Sequence, residues 1–140
     1  MRLSRYLVGT ALGALALVAT AGPRVAAADE AYVSKAEQET LHQAPLPGVE
    51  GKEVIIARFT APPKFVGGRH YHPGPVYVYV LEGELTVESD GQTKTFKAGE
   101  LYPEPVNEPM LPKNLSATDE LKVLVFQIGD IGKPMMVKAE

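Results

Sequence analysis

The sequence has 140 residues, no cysteine and a formal net charge of −3. The absence of cysteine excludes disulfides, thiolate metal ligands and a cysteine nucleophile. The acidic balance disfavours nucleic acids and anionic membrane surfaces as partners.

The N-terminal 28 residues have the three-part pattern of a secretory signal peptide. A basic start, MRLSR, precedes the uncharged apolar run YLVGTALGALALVATA, and Ala26 and Ala28 form an A-x-A arrangement. The apolar run is shorter than the roughly 20 residues of a membrane-spanning helix, so we predict cleavage after Ala28 and a periplasmic or secreted protein. Cleavage would remove three basic residues, Arg2, Arg5 and Arg24, and no acidic residue. The mature chain would then have 11 basic and 17 acidic residues, which gives a net charge of −6.

Residues 29–50 are predicted to be a polar lead-in or linker, followed by one folded domain at 51–140. EAYVSKAEQETLHQ contains helix formers but few apolar positions, and APLPGVEGKE is rich in the proline and glycine that favour turns. His42 lies in this segment, and we expect its side chain to be exposed.

The domain that follows has the pattern of short β-strands. EVIIARFTA, RHYH, VYVYVL, GELTVES, QTKTFK and ELKVLVFQIGD are rich in β-branched or aromatic residues. Asp90-Gly91 predicts a hairpin turn, whereas the four prolines of LYPEPVNEPMLPKN rule out one regular central strand there. About eight short strands with almost no helix predict an all-β sandwich or small barrel.

His70 and His72 are separated by one residue in RHYH. Residues i and i+2 of a strand lie on the same face, so the two imidazoles could converge on one point near the rim of a barrel. The spacing is typical of part of a metal site, and equally of two histidines on an exposed edge. A metal site would need further ligands.

Two groups of residues have the spacing of known motifs. In the first, His70 and His72 are followed by PGP, Val76, six further residues and Gly83, within a stretch that ends YVLEGEL. The second group begins at the Gly99-Glu100 turn and continues with Pro105, Asn107, Met110 and Asn114. In these two motifs the sequence resembles the cupin family over about Gly51 to Gly129. The resemblance implies a double-stranded β-helix, or jelly-roll, barrel.

The resemblance also implies a metal site, which this sequence matches only in part. A usual cupin site has three histidines and one glutamate, and His70 and His72 correspond to two of them. The glutamate position is Val76 and the third histidine position is Met110. A motif glycine is replaced by Asn107, a residue that tolerates a left-handed backbone.

One interpretation is a rebuilt metal site formed by His70, His72, Glu104 and Met110. Two imidazoles and a thioether suit a soft or borderline ion, copper above all, with iron, manganese and zinc as further candidates. Glu104 shares a strand face with Tyr102, and if that face is the inner one, its carboxylate could replace the one that Val76 lacks.

Two other interpretations need no metal. In one, Val76 and Met110 are apolar walls of a pocket in which the histidines orient an organic ligand or act as acid and base. In the other, the barrel is a scaffold or partner-binding module and Met110 fills its core.

The sequence therefore predicts an exported cupin whose ligand is a metal ion or a small molecule. A dioxygenase-type oxidoreductase is one hypothesis, a non-catalytic binding module is the alternative, and whether the protein is an enzyme stays open. We expect neither nucleic acid nor, after signal cleavage, a membrane as partner. VYVYVL is apolar on both faces, and the resemblance makes a homodimer a fair expectation.

Overall fold

A computed structural model describes residues 29–140, so the predicted signal peptide and its cleavage site lie outside the described residues. The predicted all-β fold is confirmed, because these residues form ten strands and no helix. No helix that is long and apolar enough to cross a membrane occurs in this part of the chain. The strands are β1 (Glu37–Pro45), β2 (Lys52–Ala61), β3 (His70–Tyr71), β4 (Val76–Glu82), β5 (Glu84–Ser89), β6 (Gln92–Lys97), β7 (Leu101–Glu104), β8 (Met110–Lys113), β9 (Leu121–Asp130) and β10 (Val137–Lys138).

The strands form two five-stranded antiparallel sheets whose inner faces meet in one core. The first sheet has the order β1-β2-β9-β4-β7, and the second has the order β10-β3-β8-β5-β6. Strands that are distant in sequence are neighbours in both sheets, as in β2 with β9 and β3 with β10. The resulting interior receives side chains from β2, β3, β4, β5, β7, β8 and β9. The core includes Ala61, Val76, Val78, Val80, Leu85, Val87, Tyr102, Met110, Leu121, Val123 and Val125.

Strand β4 contains the apolar run VYVYVL, which has one face in the core and the other on the outer surface of the sheet. Its burial alternates, with Val76, Val78 and Val80 in the core and the tyrosines between them on the outer face. Tyr77 is 45% exposed and Tyr79 is 38% exposed. The outer face of this sheet is therefore apolar and only partly covered by residues 29–140.

The segment predicted as a lead-in or linker contains a strand. Residues 37–45 form β1, an edge strand that pairs with β2 along its length. Nearly all of its side chains are exposed, so no alternation of apolar residues marks it in the sequence, and main-chain hydrogen bonds hold it in place. Gln43 adds a 2.9 Å hydrogen bond from its Nε2 to Glu53 Oε2. His42 is exposed on this strand, as predicted.

The predicted Asp90-Gly91 turn is present, and a turn within the proline-rich segment positions the histidines. Asp90 and Gly91 join β5 to β6 with φ values of 47° and 69°, the left-handed pair that a two-residue hairpin requires. The proline-rich segment divides into β7 and β8, with a turn between them. Asn107 in that turn has a φ of 61°, and its N–H donates to the main-chain carbonyl of His72 at 2.9 Å. This bond ties the turn to the chain that carries the histidines.

Candidate metal and ligand site

An interior cavity of about 80 Å³ lies between the two sheets. Five polar or charged residues line it: Ser34, Lys113 and the cluster of His70, His72 and Glu104, which defines one end of the cavity. The remaining wall is largely apolar and includes Phe59, Phe65, Val78, Leu85, Val87 and Leu121. The cavity therefore has one chemically active end and an apolar body.

All four predicted metal ligands line this cavity. Strand β3 places His70 opposite Met110 of β8, and β4 places Val76 opposite Glu104 of β7. Glu104 thus enters the interior from the strand next to the position at which the resemblance expects a glutamate. Met110 is 2% exposed, and its thioether belongs to the wall of the same cavity.

His72 and Glu104 form the closest polar contact at this end of the cavity. His72 Nε2 lies 3.2 Å from Glu104 Oε2, and each side chain is 6% exposed. On its other side, His72 Nδ1 lies 3.0 Å from Gln127 Oε1 and 2.9 Å from the carbonyl oxygen of Met135. Because a carbonyl oxygen can only accept, Nδ1 carries the hydrogen and Nε2 presents its lone pair to Glu104.

His70 is held by a main-chain carbonyl and by an aromatic ring. Its Nδ1 donates to the carbonyl oxygen of Gly68 at 2.9 Å, so its Nε2 is also unprotonated in the neutral ring. Tyr32 stacks on the imidazole, with ring centroids 4.6 Å apart and planes 7° apart. The Tyr32 hydroxyl accepts a 2.7 Å hydrogen bond from the Gly68 N–H. A Cβ at Gly68 would lie 2.4 Å from the Tyr32 ring, so only glycine fits beneath it.

Burial makes this end of the cavity electrically neutral when no cation is bound. Desolvation raises the pKa of Glu104 to about 8, so its carboxyl is mostly protonated at neutral pH. Desolvation, and secondarily the nearby His70, lowers the pKa of His72 to about 4 against the opposing hydrogen bonds to Gln127 and Met135. Desolvation also lowers the pKa of His70.

Comparison of this sequence with known protein families identifies its family. The cupin domain model matches residues 57–127. This chain is a cupin. No curated protein matches it.

Solved structures share the cupin barrel at low sequence identity. A conserved protein of unknown function from Streptococcus pyogenes is 21% identical with a TM-score of 0.54, and the match covers 76% of each chain. A cupin 2 domain-containing protein from Halorhodospira halophila is 17% identical with a TM-score of 0.60, covering 75% of this chain and 70% of the other. A DMSP lyase from Ruegeria pomeroyi is 17% identical with a TM-score of 0.60, and the match covers 74% of this chain but 51% of the lyase.

In this cupin the donor atoms fit a metal ion in part. His72 Nε2 and Glu104 Oε2 are 3.2 Å apart, which is close to the separation of two ligands that each lie about 2.0–2.2 Å from one ion. Both histidines fix Nδ1 through a hydrogen bond and leave Nε2 free, as metal-ligating histidines do. Within residues 29–140, however, no three His, Cys, Asp or Glu side chains are grouped to hold an ion. A third donor would come from Met110 or from a movement of His70.

Glu104 Oε2 is a buried atom without a hydrogen-bond partner among the described residues. It lies 3.2 Å from His72 Nε2, but that nitrogen presents a lone pair and cannot donate a hydrogen bond to an ionised carboxylate. A buried, unpartnered oxygen is costly in free energy, and a cation or a ligand hydrogen-bond donor would relieve that cost. This observation makes the end of the cavity a candidate binding site.

Sequence reasoning missed two residues of the site. Gln127 is 1% exposed and fixes His72, and its Nε2 also donates to the Met135 carbonyl at 2.9 Å. Its signal is visible in ELKVLVFQIGD, because it is the polar residue on the inward-facing period of β9. Tyr32 carries no comparable signal, since it precedes the first strand and reaches His70 only through the tertiary fold.

Asn114, the last residue of the second motif, has a structural function. Its Nδ2 lies within hydrogen-bond distance of the carbonyl oxygens of Ala61, Pro62 and Asp119, at 3.3, 3.1 and 2.8 Å. Its Oδ1 accepts from the Ser116 N–H at 3.1 Å. Asn114 therefore fastens the loop before β9 to the end of β2.

Proposed function

We propose that this cupin is exported and that the mature chain, residues 29–140, binds a metal ion at His72 and Glu104, with Met110 and His70 supplying further donors. The observation that carries the proposal is the buried Glu104 Oε2, which lacks a hydrogen-bond partner and lies 3.2 Å from the free Nε2 of His72. A bound cation would stabilise the ionised carboxylate that burial otherwise disfavours.

The donor types favour a soft or borderline ion. Imidazole nitrogens and a thioether suit copper above all, and then iron, zinc or manganese, whereas Mg²⁺ and Ca²⁺ prefer sites made of oxygen atoms. Such an ion would supply oxygen-activating or Lewis-acid chemistry, and the hypothesis of a dioxygenase-type oxidoreductase depends on it. The chain's own contribution is to fix the His72 ring through Gln127 and to surround the site with apolar walls that exclude water.

A metal-free binding protein is the second candidate, and two observations favour it. Residues 29–140 contain no group of three His, Cys, Asp or Glu side chains that could hold an ion. The protonated Glu104 and the neutral His72 also form an acid and a base that can hydrogen-bond an organic ligand without any metal.

Export and dimerisation are further parts of the proposal. Export is supported by the basic start, the apolar run and the A-x-A arrangement that ends at Ala28. Dimerisation is supported by the apolar outer face of the first sheet, where Tyr77 pairs with Phe126 and Tyr79 pairs with Leu101 across neighbouring strands. Sedimentation of the mature protein measures the second point, and a monomer over the whole accessible concentration range would contradict it.

The test of metal binding uses protein exported from the full-length chain and purified without a histidine tag. Elemental analysis for copper, iron, manganese and zinc is expected to find stoichiometric metal, either as purified or after incubation with each ion. His70→Ala/His72→Ala and Glu104→Gln are expected to lose it, whereas His42→Ala, which changes the exposed third histidine, keeps it. Absence of metal after every incubation would overturn the metal proposal and leave the metal-free candidate.

A further inference from the structure

We propose that the interior cavity binds a small uncharged molecule that has an apolar body and one hydrogen-bonding group, with that group directed at His72 and Glu104. The inference rests on the metal-free candidate of the proposed function and deepens it, because it assigns the organic ligand of that site. It does not require a metal, since the cavity walls alone define the ligand.

The size of the cavity limits the ligand to a few atoms. The cavity has a volume of about 80 Å³, roughly half of an apolar cavity that holds benzene. By proportion it can accommodate a molecule of roughly three or four non-hydrogen atoms. Sugars, nucleotides and aromatic acids are too large to be enclosed.

The wall determines the polarity of the ligand. Phe59, Phe65, Val78, Leu85 and Val87 contribute apolar surface to the body of the cavity. Hydrogen-bonding side chains meet the cavity chiefly at the end formed by the histidines and Glu104. A ligand that places one polar group there and methyl or methylene groups against the wall would leave no polar atom unpaired.

The charges around the cavity argue against an ionic ligand. Lys113 borders the cavity, but its ammonium group is paired with Glu88. Arg69, which adjoins His70 in sequence, is exposed. An anion would lose its hydration without gaining a free cationic partner, and an ammonium ion would meet a single carboxyl inside apolar walls.

An N-terminal segment, residues 30–36, contributes to the wall of the cavity. The Tyr32 N–H donates to the Met136 carbonyl at 3.0 Å, and the Lys138 N–H donates to the Glu30 carbonyl at 2.8 Å. These bonds attach the segment to the C-terminal strand. Ser34 and Ala36 then line the cavity itself, so a substitution at Ala36 changes the space that a ligand can occupy.

The test uses mature protein from which metal has been removed by chelation, so that it is independent of the metal proposal. Two pairs of nearly isosteric probes are titrated: acetamide against acetate, and ethanol against ethylammonium. The readout is the NMR shift of isotope-labelled methionine methyl groups, because Met110 and Met136 line the cavity. The Met110 signal is assigned from Met110→Leu.

The neutral probes are expected to shift the Met110 methyl signal saturably, and the charged probes are expected not to. Ala36→Leu fills the cavity and should weaken binding of the neutral probes by about tenfold or more. Ala31→Leu, the same substitution at an exposed position of the same segment, should leave their binding unchanged.

Equal shifts from charged and neutral probes would overturn the inference, and so would the absence of any saturable shift in folded protein. An unchanged affinity in Ala36→Leu would place the bound probe outside the cavity and overturn it as well. Each of these failures leaves the elemental analysis untouched, and a failure of metal binding leaves the probe titration interpretable.

Discussion

His72 Nε2 lies 3.2 Å from Glu104 Oε2 inside the barrel, where each side chain is 6% exposed. The two residues come from different sheets: Glu104 ends β7 of the first sheet, and His72 follows β3 of the second. Their contact therefore spans the interior and defines the active end of the cavity. It brings together a carboxyl that burial keeps protonated and an imidazole that burial keeps neutral, and the predictions below depend on that arrangement.

The stability of the metal-free protein should depend on Glu104 above pH 6.5. Burial raises the pKa of Glu104 from 4.5 to about 8, so between these values the folded state holds a proton that the unfolded chain has lost. The free energy of unfolding then falls as pH rises, by at most about 1.4 kcal/mol per pH unit for one proton. Below pH 6.5 the lowered pKa values of His72 and His70 act in the opposite sense.

Urea unfolding of chelated protein across the window from pH 6.5 to 8 measures this dependence. Glu104→Gln cannot titrate, so its free energy of unfolding should be nearly constant over the window. If wild-type protein were equally flat there, Glu104 would not be a buried carboxyl with a raised pKa.

Gln127 should act as a positioning residue for His72. Gln127→Leu removes one of the two acceptors of the His72 Nδ1–H, while the Met135 carbonyl remains. Loss of such a partner typically weakens metal affinity by about 10–100-fold, and the remaining carbonyl argues for the lower end. Competition titration with a chelator measures the affinity, and Gln127→Glu, which keeps an acceptor, should recover most of it. Equal losses in both variants would point to a general packing defect instead.

Tyr32 should control the environment of His70. Tyr32→Ala removes the ring stacked on the imidazole and opens His70 to water, so the lowered pKa of His70 should rise towards its ordinary value of 6.5. Tyr32→Phe keeps the stacked ring and loses only the hydrogen bond from the Gly68 N–H, so the pKa should stay low. NMR titration of the His70 ring protons in chelated protein distinguishes the two variants, and an unchanged pKa in Tyr32→Ala would show that other groups exclude the water.

Asn114 should matter for stability and not for the site chemistry. Asn114→Ala leaves the carbonyls of Ala61, Pro62 and Asp119 without their shared donor, and we expect a loss of about 2–4 kcal/mol in the free energy of unfolding. Gln92→Ala, on an exposed edge strand, is the control and should change stability by less than about 0.5 kcal/mol. A similarly small loss in Asn114→Ala would mean that water replaces its hydrogen bonds.

The sequence by itself determined most of the strands, the hairpin turn at Asp90-Gly91 and the family. The two-residue period of VYVYVL follows from the pleat of a strand, so the position of the valines and the tyrosines of β4 on opposite faces was predictable. The left-handed backbone at Asp90-Gly91 and Asn107 was also predictable, because glycine, asparagine and aspartate adopt a positive φ more readily than other residues. The histidine spacing and the proline-containing motif led to the cupin barrel. The parity of LYPE placed Glu104 on the face of Tyr102, but it did not show which face was the inner one.

The tertiary structure alone decided how the site is assembled. The pairing of β4 with β7 sets Glu104 beside Val76, the pairing of β4 with β9 sets Gln127 on the other side of Val76, and the N-terminal segment brings Tyr32 onto His70. Strand β1 could not be predicted from the sequence, because its side chains are nearly all exposed and its apolar residues do not alternate with polar ones. The local sequence pattern shows which side chains of a strand share a face. Which residues meet, and how far burial shifts their pKa values, depends on pairings between distant parts of the chain and on the water that those pairings exclude.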